Sequence, residues 1–75
     1  MPELRKVSGR EAVKALEQLG FRQARQRGSH VIMVRETPDG KSGCAVPMHR
    51  ELKIGTLRGI LRQAKVDVDE FLKAL

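Results

Sequence analysis

Hydrophobic residues follow a helical period near both ends of this sequence and a strand-like pattern between them. Apolar side chains recur every three or four positions over residues 12–19 and again over residues 57–64, which predicts two amphipathic helices. Residues 30–35 are instead rich in β-branched side chains, which favours a strand. A chain that changes its period in this way is typical of the α+β class.

The first helix has both a start signal and a stop signal. Ser8 and Glu11 have the spacing of a capping box, in which each side chain binds the backbone N–H of the other residue. Gly20 follows the last apolar position and is expected to end the helix in a left-handed conformation. The predicted helix therefore begins just after Ser8 and ends before Gly20.

Three short strands are predicted between the helices. Residues 21–27 are mostly polar and form the first strand, which a Gly-Ser turn at residues 28–29 ends. The second strand follows, and residues 37–40 (Thr-Pro-Asp-Gly) have the composition of a tight turn. A third strand is expected over about residues 43–46, where Pro47 stops it. Together these segments form a small antiparallel meander.

The C-terminal part of the chain is predicted to be helical. Gly55 and Thr56 open a second helix that runs to about Ala64, and Asp67 starts a short terminal helix through similar cap chemistry. The apolar residues expected to anchor that short helix are Val68, Phe71, Leu72 and Leu75. Both long helices are expected on one face of the three-stranded sheet, which leaves the other face open. Double-stranded RNA-binding domains have this architecture, although topology alone does not fix function.

Length and charge limit the classes of function. A chain of 75 residues is expected to form one domain, over residues 1–75, whose core is too thin for a deep pocket or a large cofactor site. Fifteen Lys and Arg against nine Asp and Glu give a net charge of +6, which favours nucleic acid or an acidic protein as the partner. Two Phe and no Trp or Tyr argue against a platform that stacks bases. Contacts to phosphate and sugar are expected instead.

Cysteine usage and hydropathy indicate the compartment. The single cysteine, Cys44, excludes an internal disulfide framework and indicates a reducing environment. No apolar run is long enough to span a membrane, and residues 1–6 lack the apolar segment of a signal peptide. The sequence therefore predicts a cytoplasmic protein that does not use a membrane.

No metal or cofactor is expected. The two histidines and the cysteine lack the spacing of metal ligands, and the carboxylates are scattered along the chain. The sequence has no glycine-rich phosphate loop, and Cys44 within a strand is more typical of packing than of nucleophilic catalysis. Histidine is left as the candidate catalytic residue type.

His30 is the leading candidate for catalysis. It stands where a Gly-Ser turn meets a strand, so its side chain can be held in place and still reach solvent. An imidazole can both accept and donate a proton near neutral pH, and RNA carries an internal nucleophile, the 2′-hydroxyl, beside each phosphorus. A histidine site without a metal therefore favours RNA over DNA. The residues alone leave open an ordinary strand histidine bonded to a neighbouring carbonyl.

Other residues are candidate contacts to RNA. His49, in the loop after the third strand, could be a second acid or base, or could only hold the loop. The candidate nucleic-acid contacts are Arg22, Arg25, Arg27, Gly28, Ser29, Lys53, Arg58, Arg62 and Lys65. For each of the cations a solvated surface is the open alternative. Free N–H groups at Gly55 and Thr56 could also meet a phosphate, although helix capping explains these residues too.

Five short motifs follow one another in a fixed order along most of the chain. They are residues 19–21 (Leu-Gly-Phe), 28–30 (Gly-Ser-His), 46–49 (Val-Pro-Met-His), 55–57 (Gly-Thr-Leu) and 60–64 (Ile-Leu-Arg-Gln-Ala). In this order and spacing they resemble the HicA (YcfA-like) toxin family of bacterial and archaeal toxin–antitoxin pairs. The resemblance runs from about residue 8 to residue 64 and leaves the tail, residues 67–75, outside it.

The resemblance to HicA toxins carries several implications. It implies a double-stranded-RNA-binding-like fold, metal-independent cleavage of mRNA, and neutralisation by a HicB-type antitoxin that covers the active site. The histidine of the Gly-Ser-His motif is catalytic in that family and corresponds to His30. We expect a monomer when the protein is free and a hetero-oligomer with the antitoxin. Two alternatives stay open: a noncatalytic double-stranded RNA-binding module, and a family member that has lost its toxicity.

Overall fold

A three-stranded antiparallel sheet is covered by helices on one face. The computed structural model describes residues 3–75; Met1 and Pro2, part of the N-terminal segment interpreted above, lie outside the described residues. In chain order the elements are α1 (Gly9–Gln18), β1 (Arg22–Arg27), β2 (His30–Thr37), β3 (Gly40–Pro47), α2 (Ile54–Ala64) and α3 (Val68–Ala74). The strand order is β1-β2-β3, so two consecutive hairpins build the sheet. The predicted α+β class and the meander are confirmed.

The two ends of α1 form as predicted. The Ser8 hydroxyl accepts a hydrogen bond from the Glu11 N–H at 3.0 Å, and the Glu11 carboxylate accepts one from the Ser8 N–H at 2.9 Å. Gly20, just beyond the helix, has a φ of +96°, a conformation that a glycine adopts at little cost. Local chemistry therefore sets both boundaries of this helix.

Two strands are longer than predicted. β2 extends to Thr37 and β3 begins at Gly40, whereas the third strand was expected only over about residues 43–46. The reason is that residues 38–39 suffice for the turn, so Thr37 pairs directly with Gly40. β3 does end at Pro47, which is the last residue of the strand rather than the first residue after it. β3 lies at an edge of the sheet, where a proline is tolerated.

The starts of the last two helices differ from the prediction. α2 begins at Ile54, with Lys53 as N-cap and no side-chain hydrogen bond at that cap. Asp67 is the N-cap of α3, yet its carboxylate makes no cap hydrogen bond, so the predicted cap chemistry is wrong there. Leu75 is also wrong as an apolar anchor: it lies beyond the end of α3 and is 39% exposed. Both helices depend on packing of their apolar faces rather than on side-chain caps.

Alternate side chains of β2 and β3 form the core together with the helices. Val31, Met33, Cys44 and Val46 are buried on one face of the sheet. The buried helix residues in the same core are Ala12, Val13, Ala15 and Leu16 of α1, Leu57, Ile60, Leu61 and Ala64 of α2, and Phe71 of α3. Both long helices thus lie on one side, as predicted. We call the other side of the sheet the open face.

Arg35 joins the sheet to the ends of two helices. Its Nη1 donates a hydrogen bond to the Leu19 carbonyl at 3.1 Å and lies 4.0 Å from the Glu70 carboxylate. Its guanidinium carbon is 4.6 Å from the centroid of the Phe21 ring, within the range of a cation–π contact. This half-buried arginine therefore has a structural role, unlike the exposed arginines of β1.

Candidate functional site

A bulge in β1 places three arginines on the open face. The pairs across the first hairpin are Arg22 with Val34, Arg25 with Ile32, and Arg27 with His30. Directly paired residues share a face, and the intervening residues of β2, Val31 and Met33, point into the core. The register shifts between Gln23 and Arg25; without that shift Arg22 would point to the other face, because side chains alternate along a strand. All six residues of β1 are exposed.

His30 is the first residue of β2 and lies on the open face. It is exposed and pairs with Arg27 on one side and with Pro47 on the other. Directly paired residues have Cβ atoms about 4.5–5.5 Å apart, so the Arg27 guanidinium can reach an anion held at the imidazole. Among residues 3–75, the His30 imidazole makes no hydrogen bond or salt bridge. It is therefore not tied to a neighbouring carbonyl.

Gly28 and Ser29 form the turn that presents His30. Gly28 has a φ of +58°, which lies in the left-handed region that favours glycine. Its carbonyl accepts a hydrogen bond from the Gln26 side-chain amide at 3.0 Å. The Ser29 carbonyl accepts one from the Met48 N–H at 2.7 Å. These bonds fix the backbone immediately before His30.

The loop after β3 links this turn to the start of α1. The Gly9 N–H donates a hydrogen bond to the His49 carbonyl at 2.9 Å. Gly9 is buried, and a Cβ atom built on it would collide with the Pro47 carbonyl oxygen and lie 2.8 Å from the Met48 Cα atom. The first residue of α1 therefore packs directly on the loop that holds the turn before His30.

We expect Gly9→Ala to lower the free energy of unfolding by about 1–3 kcal/mol, because backbone atoms of the loop must move to admit the methyl group. Gly59→Ala is the matched control, since nothing beyond its chain neighbours and the backbone of its own helix lies within 4 Å of the corresponding Cβ position. Alanine inside a helix should stabilise the fold by about 0.5–1 kcal/mol relative to glycine. Urea denaturation measures both values. Equal stability of the two variants would show that the close approach at Gly9 is unimportant.

A groove of about 320 Å³ lies between the loop that follows β3 and the start of α2. Its lining residues are Pro47, His49, Glu51, Leu52, Lys53 and Thr56. Because Pro47 also pairs with His30, the groove adjoins the end of the open face at which His30 lies. The structure thus brings His49 and Lys53 to the His30 end of the molecule. The Glu51 carboxylate in the groove is engaged by Lys6 at 3.3 Å.

Arg58 and Arg62 are not brought to this site. Both are exposed on α2, whose opposite side packs into the core through residues such as Leu57 and Leu61. α2 belongs to the helix layer, on the side of the sheet opposite to the arginines of β1. Lys65, the C-cap of α2, belongs to the same layer. The predicted phosphate contacts therefore divide into two groups on different surfaces.

Cys44 is buried on the helix side of β3, and burial raises the pKa of its thiol to about 11. Since the thiolate is the reactive form, we expect negligible alkylation by iodoacetamide at neutral pH in the folded protein. Alkylation in concentrated urea should be fast. Equal alkylation rates in the two conditions would contradict this burial and would reopen Cys44 as a candidate nucleophile.

The described residues contain neither a metal-binding cluster nor a membrane-spanning helix. Residues 3–75 contain no group of three or more His, Cys, Asp or Glu side chains arranged to hold a metal ion. In the same part of the chain, no helix combines the length and the apolar character needed to cross a membrane. His30 and His49 are both exposed.

Neither Gly9 nor the bulge in β1 is predicted from the sequence. The close approach at Gly9 joins residues almost forty positions apart in the chain, so no local pattern indicates it. The bulge does leave a signal: the pair Arg-Gln occurs at residues 22–23 and again at 25–26, separated by Ala24. Simple alternation would place Arg22 and Arg25 on opposite faces, because they are three residues apart. An inserted residue restores the two arginines to the same face.

Most of the chain matches a known protein family. A family model described as the HicA toxin of bacterial toxin–antitoxin matches residues 9–66. The matched range contains α1, the whole sheet, the groove beside His49 and α2, and it ends before α3. No curated protein matches the chain. The match covers well over half of the sequence, and the chain therefore belongs to the HicA family of bacterial toxin–antitoxin toxins.

Proposed function

We propose that this protein is a cytoplasmic endoribonuclease toxin that cleaves mRNA without a metal ion, with His30 as general base or acid. The observation that carries the proposal is the exposed imidazole of His30 on the open face, paired directly with Arg27. Membership of a toxin family supports a toxic activity. The net charge of +6 suits a polyanionic substrate.

The proposed reaction uses the nucleophile that RNA itself supplies. His30 accepts the proton of a 2′-hydroxyl, and the 2′-oxygen forms a bond to the adjacent phosphorus as the bond from phosphorus to the 5′-oxygen breaks. The leaving 5′-oxygen takes a proton from water or from a second acid. The products are a 2′,3′-cyclic phosphate and a 5′-hydroxyl. A positioned general base typically contributes about 10²–10⁴-fold to such a rate.

Arg27 is the proposed electrostatic partner of His30. The pentacoordinate phosphorus of the transition state carries more negative charge than the starting phosphate, so a guanidinium beside it lowers the barrier. His49 and Lys53 line the groove that adjoins this end of the sheet. His49 is the candidate second acid, and Lys53 is a candidate phosphate contact.

Incubation of the purified protein with a labelled RNA in the presence of a chelator tests this function. We expect shortened products with 2′,3′-cyclic phosphate ends, and no cleavage of the same sequence made with 2′-fluoro sugars. Loss of cleavage in chelator, or cleavage of the 2′-fluoro RNA, would contradict metal-independent attack by the 2′-hydroxyl. Binding of RNA without cleavage would favour the noncatalytic RNA-binding module instead.

A HicB-type antitoxin is the proposed protein partner. The open face carries the exposed His30, so a partner that covers it would keep RNA away from the imidazole. Expression of the chain together with the product of the adjacent reading frame tests this partner. We expect normal growth and a hetero-oligomer on size exclusion, with a monomer when the toxin is alone. Growth arrest in spite of complex formation would contradict neutralisation by coverage.

A further inference from the structure

We propose that one unpaired RNA strand lies along β1 on the open face, with successive phosphates at Arg22, Arg25 and Arg27. This inference rests on the proposed ribonuclease function and narrows its substrate to single-stranded segments of RNA. It also places the RNA on the open face rather than on the helix layer, where Arg58 and Arg62 lie. The support comes from the register of the sheet, its apolar centre and the geometry that the reaction requires.

The open face is organised in three rows that run across the strands. Each row begins with an arginine of β1 and continues through its partners on β2 and β3. The rows are Arg22–Val34–Gly43, Arg25–Ile32–Ala45 and Arg27–His30–Pro47. Successive rows are two residues apart on β2, which corresponds to about 7 Å. The arginines are therefore evenly spaced, at an interval close to that of successive phosphates in an extended strand.

The β-bulge is what makes this spacing regular. Arg22 and Arg25 are three residues apart in the chain, yet their partners Val34 and Ile32 are only two apart. The extra residue, Ala24, is absorbed by the bulge. Arg22 also lies 3.7 Å from the exposed carboxylate of Glu36, an exposed ion pair that contributes little and that a phosphate can replace.

The centre of the open face is apolar rather than charged. Ile32, Val34 and Ala45 are half-buried there, and no helix of the described chain packs over them. A strand with its phosphates on β1 would lay its sugars and bases over β2 and β3. Unpaired bases can make apolar contacts with such side chains, whereas a duplex presents mainly phosphates and 2′-hydroxyls.

The chemistry at His30 also favours an unpaired strand. Attack by the 2′-oxygen requires it to lie in line with the bond that breaks, on the far side of phosphorus. A-form pairing holds the 2′-oxygen away from that line, while an unpaired nucleotide can rotate into it. Holding reactants in such an aligned geometry is a major part of catalysis. The third row, which places His30 beside Arg27, is where that nucleotide would lie.

Salt dependence of binding gives a direct measure of the phosphate contacts. The probe is a short unstructured 2′-fluoro RNA carrying a fluorophore, which binds but offers no 2′-hydroxyl, and fluorescence anisotropy gives Kd. Each contact to a single strand contributes about −0.7 to the slope of log K against log salt. Three arginines give a slope of about −2, or roughly a 20-fold loss of affinity from 50 to 200 mM salt. The double variant Arg22→Gln, Arg25→Gln should reduce the slope by about 1.4.

Two control variants test a cation that lies outside the open face and an apolar residue at the centre of that face. Lys14→Gln on α1 removes an exposed cation of the helix layer and should leave the slope unchanged. Ile32→Ala should raise Kd for the single strand and leave the slope unchanged, because it removes no charge. A duplex of the same 2′-fluoro sequence should bind more weakly than the single strand at equal salt.

Three outcomes would overturn the proposed strand path. They are no measurable binding of the single strand, tighter binding of the duplex, and a slope that falls in Arg58→Gln, Arg62→Gln but not in the β1 double variant. Because the probe cannot be cut, these results do not depend on catalysis. If cleavage requires His30 but the β1 variants bind normally, the strand path alone is wrong. If the β1 variants lose binding but RNA is never cleaved, the ribonuclease function is wrong.

Discussion

His30→Ala is expected to lower the rate of RNA cleavage by at least about 100-fold, because it removes the group that exchanges the proton of the 2′-hydroxyl. The same variant, expressed without an antitoxin, should no longer arrest growth. Rates are measured on a labelled RNA with enzyme in excess, so that the chemical step is observed rather than product release. Growth curves and the decay of cellular mRNA give the effect in cells.

The substitution at His30 should act on catalysis and not on folding. The side chain is exposed, and within residues 3–75 it makes no hydrogen bond or salt bridge. The stability of the variant should therefore lie within about 0.5 kcal/mol of the natural protein. Lys14→Gln, on the exposed side of α1, should cleave RNA normally. Cleavage by a folded His30→Ala protein at close to the natural rate would show that the imidazole is not catalytic.

The two ends of α1 and the turn before His30 could be predicted because their chemistry is local. Ser8 and Glu11 are three residues apart and bind each other's backbone, so the sequence itself contains both partners. The same is true of the turn at residues 28–29, where Gly28 supplies the left-handed conformation. His30 follows that turn directly, and its exposure at the start of a strand could therefore be predicted.

Which of the candidate cations lie beside His30 could not be predicted, since this depends on the register of the strands. The cations of β1 and of α2 look alike in the sequence, yet only the arginines of β1 share a face with His30. The bulge that turns Arg22 to this face shifts the pairing of β1 with β2 by one residue. Because β1 is polar, it has no alternation of hydrophobic residues that would reveal the shift. The contact of Gly9 with Pro47 and Met48 is likewise non-local. The expected start of α2 at Gly55 differs from the observed start at Ile54, and the expected cap bond at Asp67 does not form, because packing of the apolar helix faces outweighs the local cap chemistry.

The tail after the family match completes the core of this protein. The match ends at residue 66, whereas α3 follows at Val68–Ala74. Phe71, on that short helix, is 0% exposed and is among the largest fully buried side chains of the described chain. α3 packs against α1 and α2, on the helix layer and away from the open face. We therefore expect α3 to contribute to the stability of the core.

Phe71→Ala is expected to lower the free energy of unfolding by about 3–5 kcal/mol, the usual cost of deleting a buried aromatic ring together with the cavity that it leaves. Small domains lie toward the lower end of the usual range of about 5–15 kcal/mol, so this single change should leave a large fraction of the protein unfolded at 37 °C.

Leu75→Ala is the matched control on the same tail, since Leu75 is 39% exposed and should change stability by less than about 0.5 kcal/mol. Urea denaturation followed by circular dichroism measures both variants. A loss below about 1 kcal/mol for Phe71→Ala would mean that the core does not depend on the Phe71 ring. A full loss would mean that the fold depends on a core residue outside the matched range, residues 9–66.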